Sequence, residues 1–153
     1  MKILIVGGNG FIGRHIARAA IGQGHQVVRG VRREKMEPTN TIACDMQRDV
    51  IVKTWLPRLT NIDAVINCVG VLRATKQVMQ AAHCDAPAAL ASACAESKKP
   101  FLHVSALGLN NAADTPYLPN AMVTTPCVRH ILARLSCGLR WYLAMIRPPP
   151  SCC

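Results

Sequence analysis

Val6-Gly7-Gly8-Asn9-Gly10-Phe11-Ile12-Gly13 is the stretch on which the fold turns. It matches G-x-G-x-x-G through Gly8, Gly10 and Gly13, and G-x-x-G-x-x-G through Gly7, Gly10 and Gly13. A glycine pattern alone carries little information. This one ends Lys2–Val6, whose apolar run from Ile3 reads as a strand buried on both faces. It opens Phe11–Gln23, where Ile12, Ile16, Ala19 and Ala20 recur at helical spacing. Between a strand and a helix, such glycines let an anion reach the backbone. The free N–H groups and positive end of the helix then face that anion. The last glycine lets helix and sheet approach closely.

Outward from this turn, strand and helix patterns alternate. Gln26–Val31, Thr41–Cys44, Asp63–Val69 and Phe101–Ser105 read as further strands. Arg48–Leu56 reads as a helix stopped by Pro57. Residues 77–96 read as an alanine-faced helix, with a kink or restart at Pro87 and Asp85 as its cap. The alternation predicts an α/β fold: a Rossmann-type doubly wound parallel sheet of five to six strands. After Tyr117 the text changes. Residues 118–153 hold no acid, four of the eight cysteines and five of the ten prolines. Arg129–Leu135 reads as a short helix and Leu139–Ile146 as a sixth strand. The organisation expected is therefore a nucleotide-binding domain over 1–117 and a divergent tail over 118–153, with an incomplete C-terminal part.

The 153 residues make one domain, or most of one, and half of them are hydrophobic, enough for a packed core. Eighteen Lys and Arg against eight Asp and Glu leave a net charge of +10, which suits an anionic partner. No apolar run approaches the ~20 residues of a membrane span, and the start is too short in apolar residues for a signal peptide. A cytoplasmic protein with eight free thiols is expected. No cysteine pair has C-x-x-C spacing, and no histidine pattern fits a metal, so no metal site is expected. Two Phe, two Tyr and two Trp offer few stacking platforms, and no DNA-binding spacing appears, which argues against nucleic acid. His103 shares a strand face with Ser105 and could approach a site there, although a satisfied strand histidine is the commoner outcome. Ser105 lacks a G-x-S-x-G context, so a hydrolase nucleophile is unsupported.

The end of the second strand selects the cofactor. An NAD site usually has Asp or Glu there to accept from the ribose hydroxyls. This chain has Gly30-Val31-Arg32-Arg33. Two arginines without an acid suit a 2′-phosphate, so NADP(H) is expected over NAD(H).

Residues 1–117 resemble the short-chain dehydrogenase/reductase superfamily. They are most similar to its extended and atypical branches, the NAD(P)-dependent epimerase/dehydratase-like proteins and the relatives of the complex I accessory NAD(P)-binding subunit. The resemblance rests on the 7–13 glycine stretch, on Cys44-Asp45 and on Asp63-Ala64-Val65-Ile66-Asn67-Cys68-Val69-Gly70. It also rests on Phe101-Leu102-His103-Val104-Ser105-Ala106-Leu107-Gly108 and on Thr115-Pro116-Tyr117. It implies an NAD(P)-binding oxidoreductase or sugar-nucleotide epimerase, acting on a small carbonyl compound or a sugar nucleotide. It implies that Gly7, Gly8, Asn9, Gly10, Phe11, Ile12 and Gly13 hold the pyrophosphate. Asp45 would bond the adenine amino group and Met46 would pack beside the base. Cys68, Val69 and Gly70 would line the adenosine ribose. Ser105 would polarise the substrate and Tyr117 would be the acid.

The chain departs from the family's Tyr-x-x-x-Lys, reading Tyr117-Leu118-Pro119-Asn120-Ala121. That lysine normally lowers the tyrosine's pKa from ~10, so catalysis is expected to be weak or absent. No lysine occurs after Lys99 to replace it. The change of text after Tyr117 reads as a frameshift or gene degradation near residue 118, leaving a remnant of the catalytic helix and sixth strand. The competing expectations are a non-catalytic cofactor sensor or accessory subunit, and a fragment without function.

Overall fold

The computed structural model describes residues 1–33, 39–106 and 142–146; Ser105, Ala106 and 142–146 are described as strand backbone only. The chain runs β1 (Lys2–Val6), α1 (Phe11–Gly22), β2 (Gln26–Val31), β3 (Thr41–Ala43), α2 (Val52–Leu59) and β4 (Ala64–Asn67). It continues through α3 (Lys76–Gln80), a π-helical turn (Ala81–Asp85), α4 (Ala86–Glu96), β5 (Phe101–Ala106) and β6 (Tyr142–Ile146). The six strands form one sheet in the order β3-β2-β1-β4-β5-β6. Every pairing is parallel. This is the doubly wound Rossmann arrangement, in which strand order reverses between β1 and β4. The expected sixth strand is present, with Ser105 opposite Met145 and Ala106 opposite Ile146.

The strands alternate sides as their period of two requires. Leu4, Val6, Val28 and Val65 enter one core with Trp55, Leu59, Leu90 and Phe101. Ile3, Ile5 and Val27 face the other way, onto Ala17 and Ala20 of α1. Both faces of β1 are thus covered, which explains why its sequence is apolar without alternation.

Two local expectations fail for identifiable reasons. Pro57 lies inside α2 and does not stop it. An interior proline costs about 3 kcal/mol. Trp55 and Leu59 on the same helix are fully buried, and burying each contributes about 1.5–3 kcal/mol or more. Trp55 Nε1 also donates to Asp49 O at 2.8 Å, and Arg58 Nη1 to Asp49 Oδ2 at 2.6 Å. Packing and pairing outweigh the missing backbone bond.

The stretch over 77–96 has the expected break at Pro87 but not the expected cap. It winds as a π turn at Ala81–Asp85 and resumes as α helix with Pro87 in its first turn. Proline has no N–H for the carbonyl of His83 and crowds it, so the backbone widens there. Asp85 is not a side-chain cap; its Oδ1 accepts from Gln80 Nε2 at 3.0 Å. β3 and β4 are also shorter than expected, ending at Ala43 and Asn67. The expected helix at Arg129–Leu135 lies outside the described residues.

Candidate functional site at the carboxyl ends of β1 and β4

The glycine turn is closed by its own backbone. Gly8 N donates to Ile5 O at 3.1 Å, Gly10 N to Gly7 O at 2.9 Å and Arg14 N to Gly10 O at 3.0 Å. Gly7 sits at φ +79°, a conformation open to glycine. A Cβ on Gly13 would lie 2.2 Å from Gly7 O, so that helix turn and strand end meet backbone to backbone. No side chain caps α1 at Gly10, and no acid stands in its first turn. The N–H groups of that turn and the helix dipole therefore face outward for an anion. Asn9 and Gly10 are exposed, Ile12 is half-buried, and Phe11 is 72% exposed, with Arg14 5.3 Å above its ring.

Side chains from β2 and from the segment after β4 floor this turn. The place a Gly7 Cβ would take is 3.0 Å from Val69 Cγ2 and 3.2 Å from Val69 N. A Gly8 Cβ would meet Arg29 Cγ at 2.9 Å. Arg29, which belongs to no motif in the sequence, lies directly against the turn. Arg32 and Arg33 follow β2 and are both exposed. Gly70 is exposed and open around its Cα. Cys68 is half-buried and its thiol is pushed up to about 11 by burial. Asp45 follows β3 half-buried; its Oδ1 accepts from Gln47 N at 3.0 Å and its Oδ2 lies 3.7 Å from Arg48 Nε. Met46 is only 5% exposed and belongs to the core, so it presents little surface to a ligand.

A buried polar link that spacing could not reveal joins β4 to β5. Asn67 is fully buried and sits opposite His103 in register. Its Oδ1 accepts from Val69 N at 3.1 Å, which directs its Nδ2 to His103 Nδ1 at 3.0 Å. His103 Nδ1 must then be the acceptor, placing the ring proton on Nε2. Phe101 stacks on the same ring, 6.3 Å between centroids. Burial, then the charge of His83, pulls His103 down to about 4, which keeps it neutral. Ser105 is on the same strand, two residues on. Tyr117 lies outside the described residues.

The structure thus brings the glycine turn, Cys68, Val69 and Arg29 together at the strand-order reversal, where open parallel sheets bind ligands. The crowding at Gly13 and the uncapped helix fit the pyrophosphate of a dinucleotide. Among the described residues no group of three His, Cys, Asp or Glu could hold a metal, and no helix is long and apolar enough to cross a membrane. Cys44, Cys68 and Cys94 are free thiols, the first and last pushed up to about 12 chiefly by burial. Cys84 is disulfide-bonded, so the expectation of eight thiols does not hold.

Comparison with known proteins points the same way. The sequence profile described as the NAD dependent epimerase/dehydratase family matches residues 3–123. The photosystem II assembly factor Ycf39 of Synechocystis sp. is 36% identical over 90 residues, covering 49% of this chain and 24% of that protein. A Bacillus halodurans protein provisionally described as an NAD-dependent epimerase/dehydratase superposes with a TM-score of 0.79 at 18% identity, covering 97% of this chain and 71% of its own. MoeE5, solved in complex with UDP-glucose and NAD, gives a TM-score of 0.72 at 21% identity, covering 96% of this chain and 54% of its own. The chain therefore spans about a quarter of that curated relative and about half of MoeE5.

Proposed function

The chain belongs to the NAD dependent epimerase/dehydratase family, and from that premise we propose that it binds a dinucleotide across the ends of β1 and β4, NADP(H) in preference to NAD(H). The observation that carries the reading is the turn from Gly7 to Gly13, where a Cβ on Gly13 would sit 2.2 Å from Gly7 O under an uncapped helix start. In this reading Gly7, Gly8, Asn9, Gly10, Phe11, Ile12 and Gly13 enclose the pyrophosphate. Cys68, Val69 and Gly70 lie along the adenosine ribose. Asp45 takes the adenine amino group through a carboxylate lone pair not used by Gln47, and Met46 meets the base only at its edge. Exposed Arg32 and Arg33 take the 2′-phosphate as hydrogen-bonding forks.

The cofactor would supply hydride chemistry, and Ser105 would orient a carbonyl or hydroxyl oxygen of a small carbonyl compound or a sugar nucleotide. Tyr117 would be the acid, yet Ala121 stands where the family has lysine. A tyrosine without that neighbouring cation holds its proton near pH 10. That substitution favours a cofactor-binding sensor or accessory protein with little or no turnover. We read 1–117 as the nucleotide-binding unit and 118–153 as a diverged completion that supplies the edge strand β6.

Thermal unfolding with NADPH and NADH in parallel tests the reading. At a hundredfold excess over Kd, binding adds about 2.7 kcal/mol, or about 5–10 °C in Tm for a chain of this size. NADPH should shift wild-type protein more than NADH, and R32A/R33A should remove the difference. Equal shifts would overturn the NADP(H) preference. A cooperative melt unmoved by either would overturn dinucleotide binding.

A further inference from the structure

The segment after β4 is fastened at both ends by histidines from different elements. At its start, Asn67 Nδ2 donates to His103 Nδ1 of β5 at 3.0 Å, and Asn67 Oδ1 accepts from Val69 N at 3.1 Å. At its far end, His83 Nε2 lies 3.1 Å from Val71 N and 2.9 Å from Val71 O. One tautomer of His83 accepts from that N–H and the other donates to that carbonyl, so either fastens Val71. His83 is carried by the π turn, a distortion commonly found at functional sites. Between the two fastenings lie Cys68, Val69 and Gly70, and Val69 is the residue that meets the glycine turn beside Gly7. No stretch of regular structure covers residues 68 to 75, and the bond from Cys68 N to Val6 O at 2.9 Å ties only its first residue to β1.

We propose that His83 and His103 are positioning residues that clamp Cys68–Val71 against the glycine turn, and so set the shape of the cofactor cradle without touching the cofactor. The proposal rests on the dinucleotide reading above for its ligand, but not for its geometry. Stacking on Phe101 holds the His103 ring edge-on to Asn67. The chain from ring to cradle is short: one hydrogen bond to Asn67, one from Asn67 to Val69, then contact with Gly7.

The experiment uses the whole chain and four variants. His83→Leu and His103→Leu remove the ring nitrogens. His83→Gln returns a group able to accept or donate near Nε2, and His103→Asn returns an acceptor near Nδ1. NADPH affinity is measured well below the melting temperature, and hydrogen exchange at Val69 and Val71 is measured without cofactor. Losing one such hydrogen bond is worth about a threefold to tenfold rise in Kd for each leucine variant, with the amide variants restoring affinity to within about twofold. Exchange at Val69 should quicken in His103→Leu and at Val71 in His83→Leu, and slow again with the amide. Lower melting temperatures with unchanged affinity and unchanged exchange would overturn the clamp, since that is what loss of packing alone produces. If wild-type protein binds no dinucleotide, the functional reading falls separately. Exchange then decides: quickened and rescued rates uphold the clamp, and unchanged rates overturn it.

Discussion

Gly13→Ala is the substitution that most directly probes the turn. The new Cβ would sit 2.2 Å from Gly7 O and 2.9 Å from both Gly7 C and Gly8 Cα. The first approach is 1.2 Å inside the 3.4 Å at which ordinary contact begins (3.4 − 2.2). All three atoms are backbone, so relief requires α1 to move away from the end of β1. Overpacking of this kind costs about 1–3 kcal/mol, and a backbone collision belongs at the upper end. Alanine returns up to about 1 kcal/mol of helix propensity. Gly22 on the same helix isolates that return, because nothing lies within 4 Å of its would-be Cβ and its φ is not positive. Gly13→Ala and Gly22→Ala should therefore differ by about 2–3 kcal/mol in urea unfolding, with Gly22→Ala stabilised by up to about 1 kcal/mol. In Tm the pair should separate by about 5–10 °C. Fluorescence titration should show NADPH bound at least tenfold more weakly by Gly13→Ala, because the displaced helix start no longer faces the pyrophosphate. Equal stability of the two variants would refute the close approach. Unchanged affinity in a destabilised Gly13→Ala would refute the assignment of the turn to the ligand.

Two further perturbations test other parts of the frame. Arg58→Met leaves the Asp49 carboxylate, 11% exposed, without its cation and should cost about 3 kcal/mol in urea unfolding; a loss below ~1 kcal/mol would mean that its bond from Asp45 N suffices. His103 has a folded pKa of about 4 against 6.5 unfolded, so the unfolded chain takes up the proton first as pH falls. Its neutral ring contributes fully above pH 6.5, and that contribution drains away between 6.5 and 4, by at most about 3 kcal/mol at 1.36 kcal/mol per unit. His103→Asn should flatten stability across that window, and an unchanged slope would place the acid sensitivity elsewhere.

The central strands were legible because a parallel strand covered on both faces must be apolar throughout, and Ile3–Val6 and Ala64–Ile66 are. The turn was legible because glycines at three fixed offsets answer three separate demands of close approach. Pro57 misled because its local cost is visible in sequence, while the burial of Trp55 and Leu59 that outweighs it depends on α4, some thirty residues later. Pro87 was read correctly as a break, but nothing in the sequence distinguishes a capped restart from a widened turn. Asn67 and His103 are thirty-six residues apart, and their bond exists only because β4 and β5 pair in one register. Met46 is the reverse case, since its place beside Asp45 in the sequence does not tell that its side chain is only 5% exposed.

The placing of β1 has a consequence for how the chain is made. Of the six strands the earliest in chain order is a central one, flanked by β2 on one side and β4 on the other. β2 follows within a few tens of residues, but the partner on the other side begins at Ala64. At about 5–20 residues per second, some sixty residues of translation leave that edge of Ile3–Val6 unpaired for roughly 3–12 s. An apolar edge with open N–H and C=O groups is a template for pairing with another chain. Slowing synthesis between codons 32 and 64 should therefore lower the yield of folded protein more than slowing it anywhere after Asn67. The same apolar strand that anchors the finished sheet is its main hazard while the sheet is half built.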